Sequence, residues 1–276
     1  MKRFKKVYIE ISNICNLSCS FCPGTKRAPK MMDINGFKSV INKVVPFTDY
    51  VYFHLLGEPL LHPNLKEFLN ICEENGLKVI ITTNGTLLNK QSELLLNSNS
   101  HYKTVISLHS FEANLSQNFD EYITDCLNYA KTAEGEKIVL LRLWNSGGED
   151  RLNKNILEKI EARFPAPWRD TRGGKQIGNN IYIQFGEKFD WPDIKNTSEN
   201  EAAFCYGMRD QIGVLCDGTV VPCCLDNNGE INLGNIFETD LESIINSPRA
   251  INIYNGFSNR KACEELCKKC SFARKF

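Results

Sequence analysis

Residues 6–22 read Lys-Val-Tyr-Ile-Glu-Ile-Ser-Asn-Ile-Cys15-Asn-Leu-Ser-Cys19-Ser-Phe-Cys22. Lys6–Ile11 alternates as a half-buried strand does. The strand runs directly into three cysteines spaced CxxxCxxC. Three thiols this close in sequence fall on one loop, which can wrap a single metal centre. A structural zinc takes four ligands, and a four-iron cluster also takes four, normally all cysteine. With three local ligands and no obvious fourth nearby, one coordination position is left open, which in metal sites usually means catalysis. A zinc loop completed by a distant residue such as His54 or His62 is the competing reading.

Outward from this stretch the chain keeps a steady rhythm. Helical spacing of Phe37, Val40, Ile41 and Val44 predicts a helix over 33–45. A strand is expected over 50–55 and a helix over 63–75, with Pro63 near its start and Gly76 just past its end. Then come a strand (77–82), a helix (87–96), a strand (103–108) and a long amphipathic helix (114–132). A strand over 137–143, a helix over 149–164 and a sixth strand over 181–184 complete the series. Strand and helix alternating five or six times calls for a parallel sheet with right-handed crossovers. The count falls short of the eight units of a closed (βα)8 barrel, so an open or partial α/β barrel is expected, with its chemistry on the loops after the strands. The rhythm stops at about residue 165. Residues 165–200 hold three of the ten prolines and a Gly-Gly pair and read as irregular. Ile212–Cys216 and Thr219–Cys223 flank Asp217-Gly218 as a β-hairpin with a two-residue turn, and 238–246 reads as a short helix. The remainder reads as a polar, cysteine-bearing tail. The division expected is 1–185 for the barrel and 186–276 for a small second domain, too small to be stable without a metal staple.

Composition narrows the function classes. Thirty-three basic residues balance 33 acidic ones, so the broad positive field of a general nucleic-acid or anionic-membrane binder is missing. No apolar run reaches the roughly 18 residues of a membrane span. The N-terminus is basic but lacks the apolar core of a signal peptide, so a cytoplasmic protein is expected. Twelve cysteines in such a compartment point to metal or redox chemistry. They cluster: three in 15–22 and seven in 205–270, with only Cys72 and Cys126 between, both at core-facing helical positions.

Further polar residues stand where strand-end loops should lie: Gly57-Glu58-Pro59 after strand two, Thr82-Thr83-Asn84-Gly85 after strand three, Ser107 at the end of strand four and Arg142 on strand five. His54 and His109 read equally as pocket or core residues, and Lys26, Arg27 and Lys30 as a solvated loop. Trp144, Trp168 and Trp191 either line a pocket or pack.

With these residues in place the sequence resembles the radical S-adenosylmethionine (SAM) superfamily. The CxxxCxxC after strand one, with Phe21 before its last cysteine, the Gly57-Glu58 pair and Thr83-Asn84-Gly85 occupy that superfamily's motif positions. One departure is Leu56, where the superfamily often has a second glycine. The resemblance implies a partial (βα)6 barrel in which Cys15, Cys19 and Cys22 hold a [4Fe–4S] cluster and SAM chelates its fourth iron. It also implies that Gly57 and Glu58 contact the SAM amino group, that Phe21 lies near the adenine, that Asn84 belongs to the same binding region, and that Ser107 and Arg142 lie near the ribose and carboxylate. An external low-potential electron donor of flavodoxin or ferredoxin type is implied as well.

The C-terminal region resembles the auxiliary-cluster domains of the same superfamily, SPASM and its shorter twitch form. The resemblance rests on Cys205, Asp217-Gly218 through Cys223-Cys224-Leu225-Asp226, Leu233–Ile236 and the CxxC at Cys267 and Cys270. It implies a second [4Fe–4S] cluster on Cys205, Cys223, Cys267 and Cys270, with Cys263 in reserve and Cys216 and Cys224 as packing or free thiols. A zinc ribbon is the alternative. Similarity to the twitch-bearing dehydrogenases of aminoglycoside biosynthesis includes Arg172-Gly173-Gly174, which implies that Arg172 touches the substrate. The function expected is reductive cleavage of SAM to a 5′-deoxyadenosyl radical, followed by hydrogen abstraction and dehydrogenation of a small polar molecule. Radical modification of a peptide is the alternative.

Overall fold

The computed structural model describes residues 3–114, 118–197 and 201–275. Five βα units lead the chain: β1 (Lys6–Ile9), α1 (Ile34–Val44), β2 (Tyr50–Phe53), α2 (Leu65–Glu74), β3 (Lys78–Thr83), α3 (Leu88–Asn97), β4 (His101–Ser107), α4 (Phe119–Thr132), β5 (Ile138–Ser146) and α5 (Asn153–Arg163). A hairpin, β6 (Arg169–Thr171) and β7 (Gly174–Gly178), precedes the sixth parallel strand, β8 (Ile181–Glu187). Then follow β9 (Gln211–Val214), β10 (Val220–Val221), α6 (Leu241–Ile245), α7 (Pro248–Ser258) and α8 (Glu265–Lys268). One sheet holds all ten strands in the order β10-β9-β1-β2-β3-β4-β5-β8-β7-β6.

Side-chain alternation explains how this sheet is covered. On β1, Val7 and Ile9 are fully buried against the helices, while Tyr8 points to the other face and packs with Leu55, Leu215 and Val221. On β5, Val139, Leu141 and Leu143 face the helical layer, so Leu140, Arg142 and Trp144 face inward. The helices supply matching stripes: Phe37, Val40, Ile41 and Val44 on α1 and Leu65, Phe68, Leu69 and Cys72 on α2 are buried, with the Phe37 and Phe68 rings stacked 4.0 Å apart. Inward residues of β1 to β5 and β8, namely Tyr8, Tyr52, Ile80, Lys103, Arg142 and Gln184, line one cavity. Six flat strands would span roughly 24 Å, so the sheet must roll around that space. The α/β partial barrel expected from the sequence is the fold observed.

Several expectations need correction. Residues 169–178 are not irregular: β6 and β7 form an antiparallel hairpin on the β8 edge, with Gly174 opposite Gln184. These edge strands pair through their backbone and bury little, so they leave no hydrophobic alternation to read. The β9–β10 turn holds three residues, closed by Leu215 N–H donating to Thr219 O at 2.9 Å, with Gly218 at φ +89°. The C-terminal region is not merely a tail. α7 starts where the Ser247 side chain accepts from Ala250 N–H and Pro248 takes the first helical position, and it buries Ala250, Ile253 and Phe257. The expected helix over 114–132 begins at Phe119, capped by Asn118; residues 115–117 lie outside the described residues.

Most consequentially, the C-terminal strands are not a separate sheet. β9 runs parallel to β1, with Val7 opposite Ile212. A buried polar knot reinforces this seam. Glu10 is fully buried, and its carboxylate accepts from Arg27 at 2.6 Å and from Cys216 N–H at 3.1 Å. Arg27 also donates to Asn227 O at 3.0 Å, and Asn227 donates to Gly24 O at 2.6 Å. Arg27 is therefore not a solvated loop residue: it is what keeps the Glu10 charge satisfied. Arg27→Ala strands that charge in the interior and is expected to cost about 3–5 kcal/mol, measurable as a lower denaturant midpoint.

Candidate functional site

The cysteine loop leaves the end of β1 and is held at both flanks. On one flank the Asn84 side-chain amide donates to Asn16 Oδ1 at 3.0 Å and approaches Cys15 Sγ at 3.8 Å. Asn84 Oδ1 accepts from the Thr86 hydroxyl at 2.7 Å, and Asn16 donates to the same hydroxyl at 2.8 Å. On the other flank Asn114 donates to Cys19 Sγ at 3.1 Å and accepts from Ser18 N–H at 2.8 Å. Asn16, Thr86 and Asn114 were not foreseen. Asn16 and Thr86 sit beside recognised motifs, but Asn114 comes from another unit and carries no local signal.

The Gly57-Glu58 pair locks the loop from below. Gly57 adopts φ +77°, and a Cβ there would meet Ser12 O at 2.2 Å and Ile14 O at 3.0 Å. Glu58 N–H donates to Ile14 O at 2.9 Å. The buried Glu58 carboxylate accepts from Leu60 N–H at 3.0 Å, the Thr83 hydroxyl at 2.8 Å and Asn84 N–H at 2.8 Å. Burial pushes this carboxyl up to about 7, against the pull of its three donors.

One cavity of about 600 Å³ gathers Cys15, Cys19, Cys22, Phe21, Gly57, Glu58, Asn84, Ser107 and Arg142, the first cysteine set and all the residues expected at SAM. Phe21 lies with its ring 5.1 Å from His109. Ser107 pairs across the sheet with Arg142. The Arg142 guanidinium stacks 3.9 Å over the Trp144 ring, and burial lowers its pKa to about 10. A second cavity of about 630 Å³ gathers Cys205, Cys223, Cys267 and Cys270 with Cys224. The two cavities share a wall that includes His54, Arg142, Trp144, Phe189 and Cys224.

Other sequence candidates fall elsewhere. Arg172 is exposed at the tip of the β6–β7 turn and lines neither cavity, although Gly173 O accepts from Phe185 N–H at 3.1 Å and so fixes the turn at the mouth end of β8. Cys263 turns away, its Sγ 3.6 Å from Asn252 O. Cys216 packs against the Glu10–Arg27 knot. Cys72 and Cys126 are fully buried core thiols. His62 uses both ring nitrogens on backbone, at 3.0 Å to Met32 O and 3.1 Å to Asn64 N–H. His54 lines both cavities, and Trp168 donates to Phe164 O at 2.7 Å.

The chemistry of the donors suits iron–sulfur cubes. All twelve cysteines are free thiols. Burial pushes Cys19 up to about 11, and its neighbours Cys22 and Cys15 add to the rise; Cys205 is pushed to about 11 likewise, with Cys270 and Cys224 adding. Each set is thus within electrostatic reach of itself. Among the described residues no three His, Cys, Asp or Glu side chains converge tightly enough for a single ion. A cube takes its thiolates on separate irons at separate corners.

These features are those of a radical SAM domain followed by an auxiliary iron–sulfur domain. The radical SAM superfamily model matches residues 9–133, and SPASM, an iron–sulfur cluster-binding domain, matches 205–271. Together they imply SAM and [4Fe–4S] clusters as cofactors. Among curated proteins the chain is 22% identical to the S-adenosyl-L-methionine-dependent 2-deoxy-scyllo-inosamine dehydrogenase of Niallia circulans, over 98% of this chain and 94% of that one. It is 25% identical to the antilisterial bacteriocin subtilosin biosynthesis protein AlbA of Bacillus subtilis, over 96% of this chain, but spans only 64% of that protein's length. Among solved structures, BtrN in complex with AdoMet and 2-DOIA superposes with a TM-score of 0.64 at 20% identity, covering 98% of this chain and 94% of BtrN. Streptococcus suis SuiB gives 0.64 at 19%, covering 92% and 68%. These likenesses support the fold. No helix among the described residues is long and apolar enough to cross a membrane.

Gly57→Ala is expected to push the 57–58 turn off the Ser12–Ile14 backbone. The purified variant should retain less iron and sulfide than the parent after identical anaerobic reconstitution, with its far-ultraviolet spectrum unchanged.

Proposed function

We propose that this chain is a radical SAM oxidoreductase that abstracts hydrogen from a small polar molecule held between its two cysteine sets, completing a two-electron oxidation. The observation that carries this reading is the shared wall. The cavity lined by Cys15, Cys19 and Cys22 adjoins the one lined by Cys205, Cys223, Cys267 and Cys270, through Arg142, Trp144, His54 and Cys224. When bound, the cofactors would supply one-electron reduction of the SAM sulfonium, giving methionine and a 5′-deoxyadenosyl radical, and an electron acceptor on the far side of the substrate.

The chain's own residues hold, orient and shield. Each cysteine set anchors its cluster, and we assign the barrel to 1–185 and the auxiliary unit to 186–276. Gly57 and Glu58 form the floor for the SAM amino end, with the Glu58 carboxylate already fixed by three internal donors. Phe21 faces the adenine, Ser107 and Arg142 the ribose and carboxylate, and Asn84 steadies the cysteine loop. Trp144, Phe189 and Leu225 are large apolar groups on the shared wall, suited to keeping water from a radical. Arg172, at the mouth, contacts substrate on entry. Electrons come from an external flavodoxin- or ferredoxin-type donor.

A peptide substrate is the second reading, favoured by the likeness to AlbA and to SuiB, which has been solved bound to precursor peptide SuiA. The two modest cavities, about 600 and 630 Å³, support the small molecule.

Anaerobic incubation of reconstituted protein with SAM, dithionite and candidate substrates is expected to yield 5′-deoxyadenosine by mass spectrometry, with deuterium carried over from a labelled substrate. Failure to cleave SAM at full cluster loading would falsify this function. Cys15→Ala, Cys19→Ala or Cys22→Ala should each lower iron by about four per chain and abolish cleavage; Cys263→Ala and Cys216→Ala should retain the full iron content. Arg172→Ala should leave substrate-independent SAM cleavage intact while raising the substrate KM.

A further inference from the structure

The inner face of the barrel carries positive charge of which the proposed reaction uses only Arg142. Lys6 on β1, Lys103 on β4 and Arg142 on β5 all line the second cavity. Among the described residues none of the three has a carboxylate partner. The two carboxylates of the same lining are engaged elsewhere: Asp210 pairs with Lys5 at 2.8 Å, and Asp226 accepts from the backbone N–H groups of Glu230 at 2.9 Å and Ile231 at 2.8 Å. The Lys6 ammonium lies 6.0 Å from the Tyr52 ring centre, and the Lys103 ammonium makes no hydrogen bond among the described residues. Burial, together with the charges of Arg142 and Lys6, pulls Lys103 below its ordinary value. Lys6 is exposed and Lys103 half-buried; Cys224 of the same lining lies within electrostatic reach of Lys6 and Arg142, and an anionic ligand would offset the charge that remains.

A second observation lies at the junction of the cavities. Three buried polar atoms there have no partner: Arg142 Nε, Trp144 Nε1 and His54 Nδ1. The first two can only donate, and a buried donor left open carries a desolvation cost that an acceptor on a ligand removes. These atoms sit near the cysteine loop. Lys103 lies four residues behind Ser107 on β4, about 13 Å deeper along the strand. The lumen is thus lined for a molecule with acceptors at one end and an anion at the other.

We propose that the barrel lumen binds the substrate through an anionic group, a carboxylate or a phosphate, seated against Lys103 and Lys6, with the rest of the molecule reaching toward Trp144 and His54. The substrate class is then an acidic metabolite; this rests on the function proposed above.

Isothermal titration of the reconstituted holoenzyme at low ionic strength, with inorganic phosphate in one series and succinate in another, tests the site without turnover. Saturable binding of phosphate assigns a phosphoryl group, and of succinate a carboxylate. Lys103→Met and Lys6→Met keep the aliphatic stems and should each weaken binding about tenfold or more, whereas Lys154→Met, on the exposed face of α5, should not. Absence of saturable heat with both anions, or parental affinity in Lys103→Met, overturns the inference. SAM cleavage without anion binding leaves the reaction standing and removes the anion site; anion binding without SAM cleavage does the reverse.

Discussion

The architecture of the site depends on one buried carboxylate. Glu58 takes three donors from two successive loops, and its own backbone N–H is bonded to Ile14 on the cysteine loop. Three strand ends are tied through a single residue. An ionised carboxylate in that position would be costly alone, and its donors are what make it tolerable. The same donors are then unavailable to water, which keeps the floor of the cavity in one shape. Gly57 makes the close approach possible, because any side chain would collide with the Ser12 carbonyl.

A second tie acts between the two halves of the chain. The Glu10–Arg27–Cys216 knot sits where β1, the end of the cysteine loop and the β9–β10 hairpin meet. Because β9 adds to the sheet beside β1, the auxiliary cysteines are brought to the open side of the rolled sheet instead of hanging from a linker. That placement lets Cys224 and Leu225, on the turn that follows β10, line both cavities while Cys223 lines only the second. The result is two adjoining cavities, each lined by one set of thiols, with Lys6, Lys103 and Arg142 on the wall of the second.

Much of this is legible in the sequence. The βα rhythm, the helix faces of α1, α2 and α4, and the strand-end positions of Gly57, Glu58, Asn84 and Ser107 follow from local periodicity and turn residues, which act within a few positions. What the sequence leaves unmarked is of two kinds. The β6–β7 hairpin and α7 bury little surface or lie in a short polar context, so their hydrophobic pattern is faint; for α7 the Ser247-Pro248 start was the usable sign. The anchors Asn114 and Arg27 act over long sequence separations and look like any loop residue in isolation.

The chain's order of residues settles which groups exist for the chemistry and on which strand ends they stand, because spacing along one loop constrains CxxxCxxC and CxxC to local sets. It says nothing of how far Cys267 lies from Cys205, or that Arg172 ends exposed while Lys103 and Arg142 face a common lumen. Those outcomes come from folding, since the roll of the sheet and the pairing of β9 with β1 depend on the packing of every layer at once.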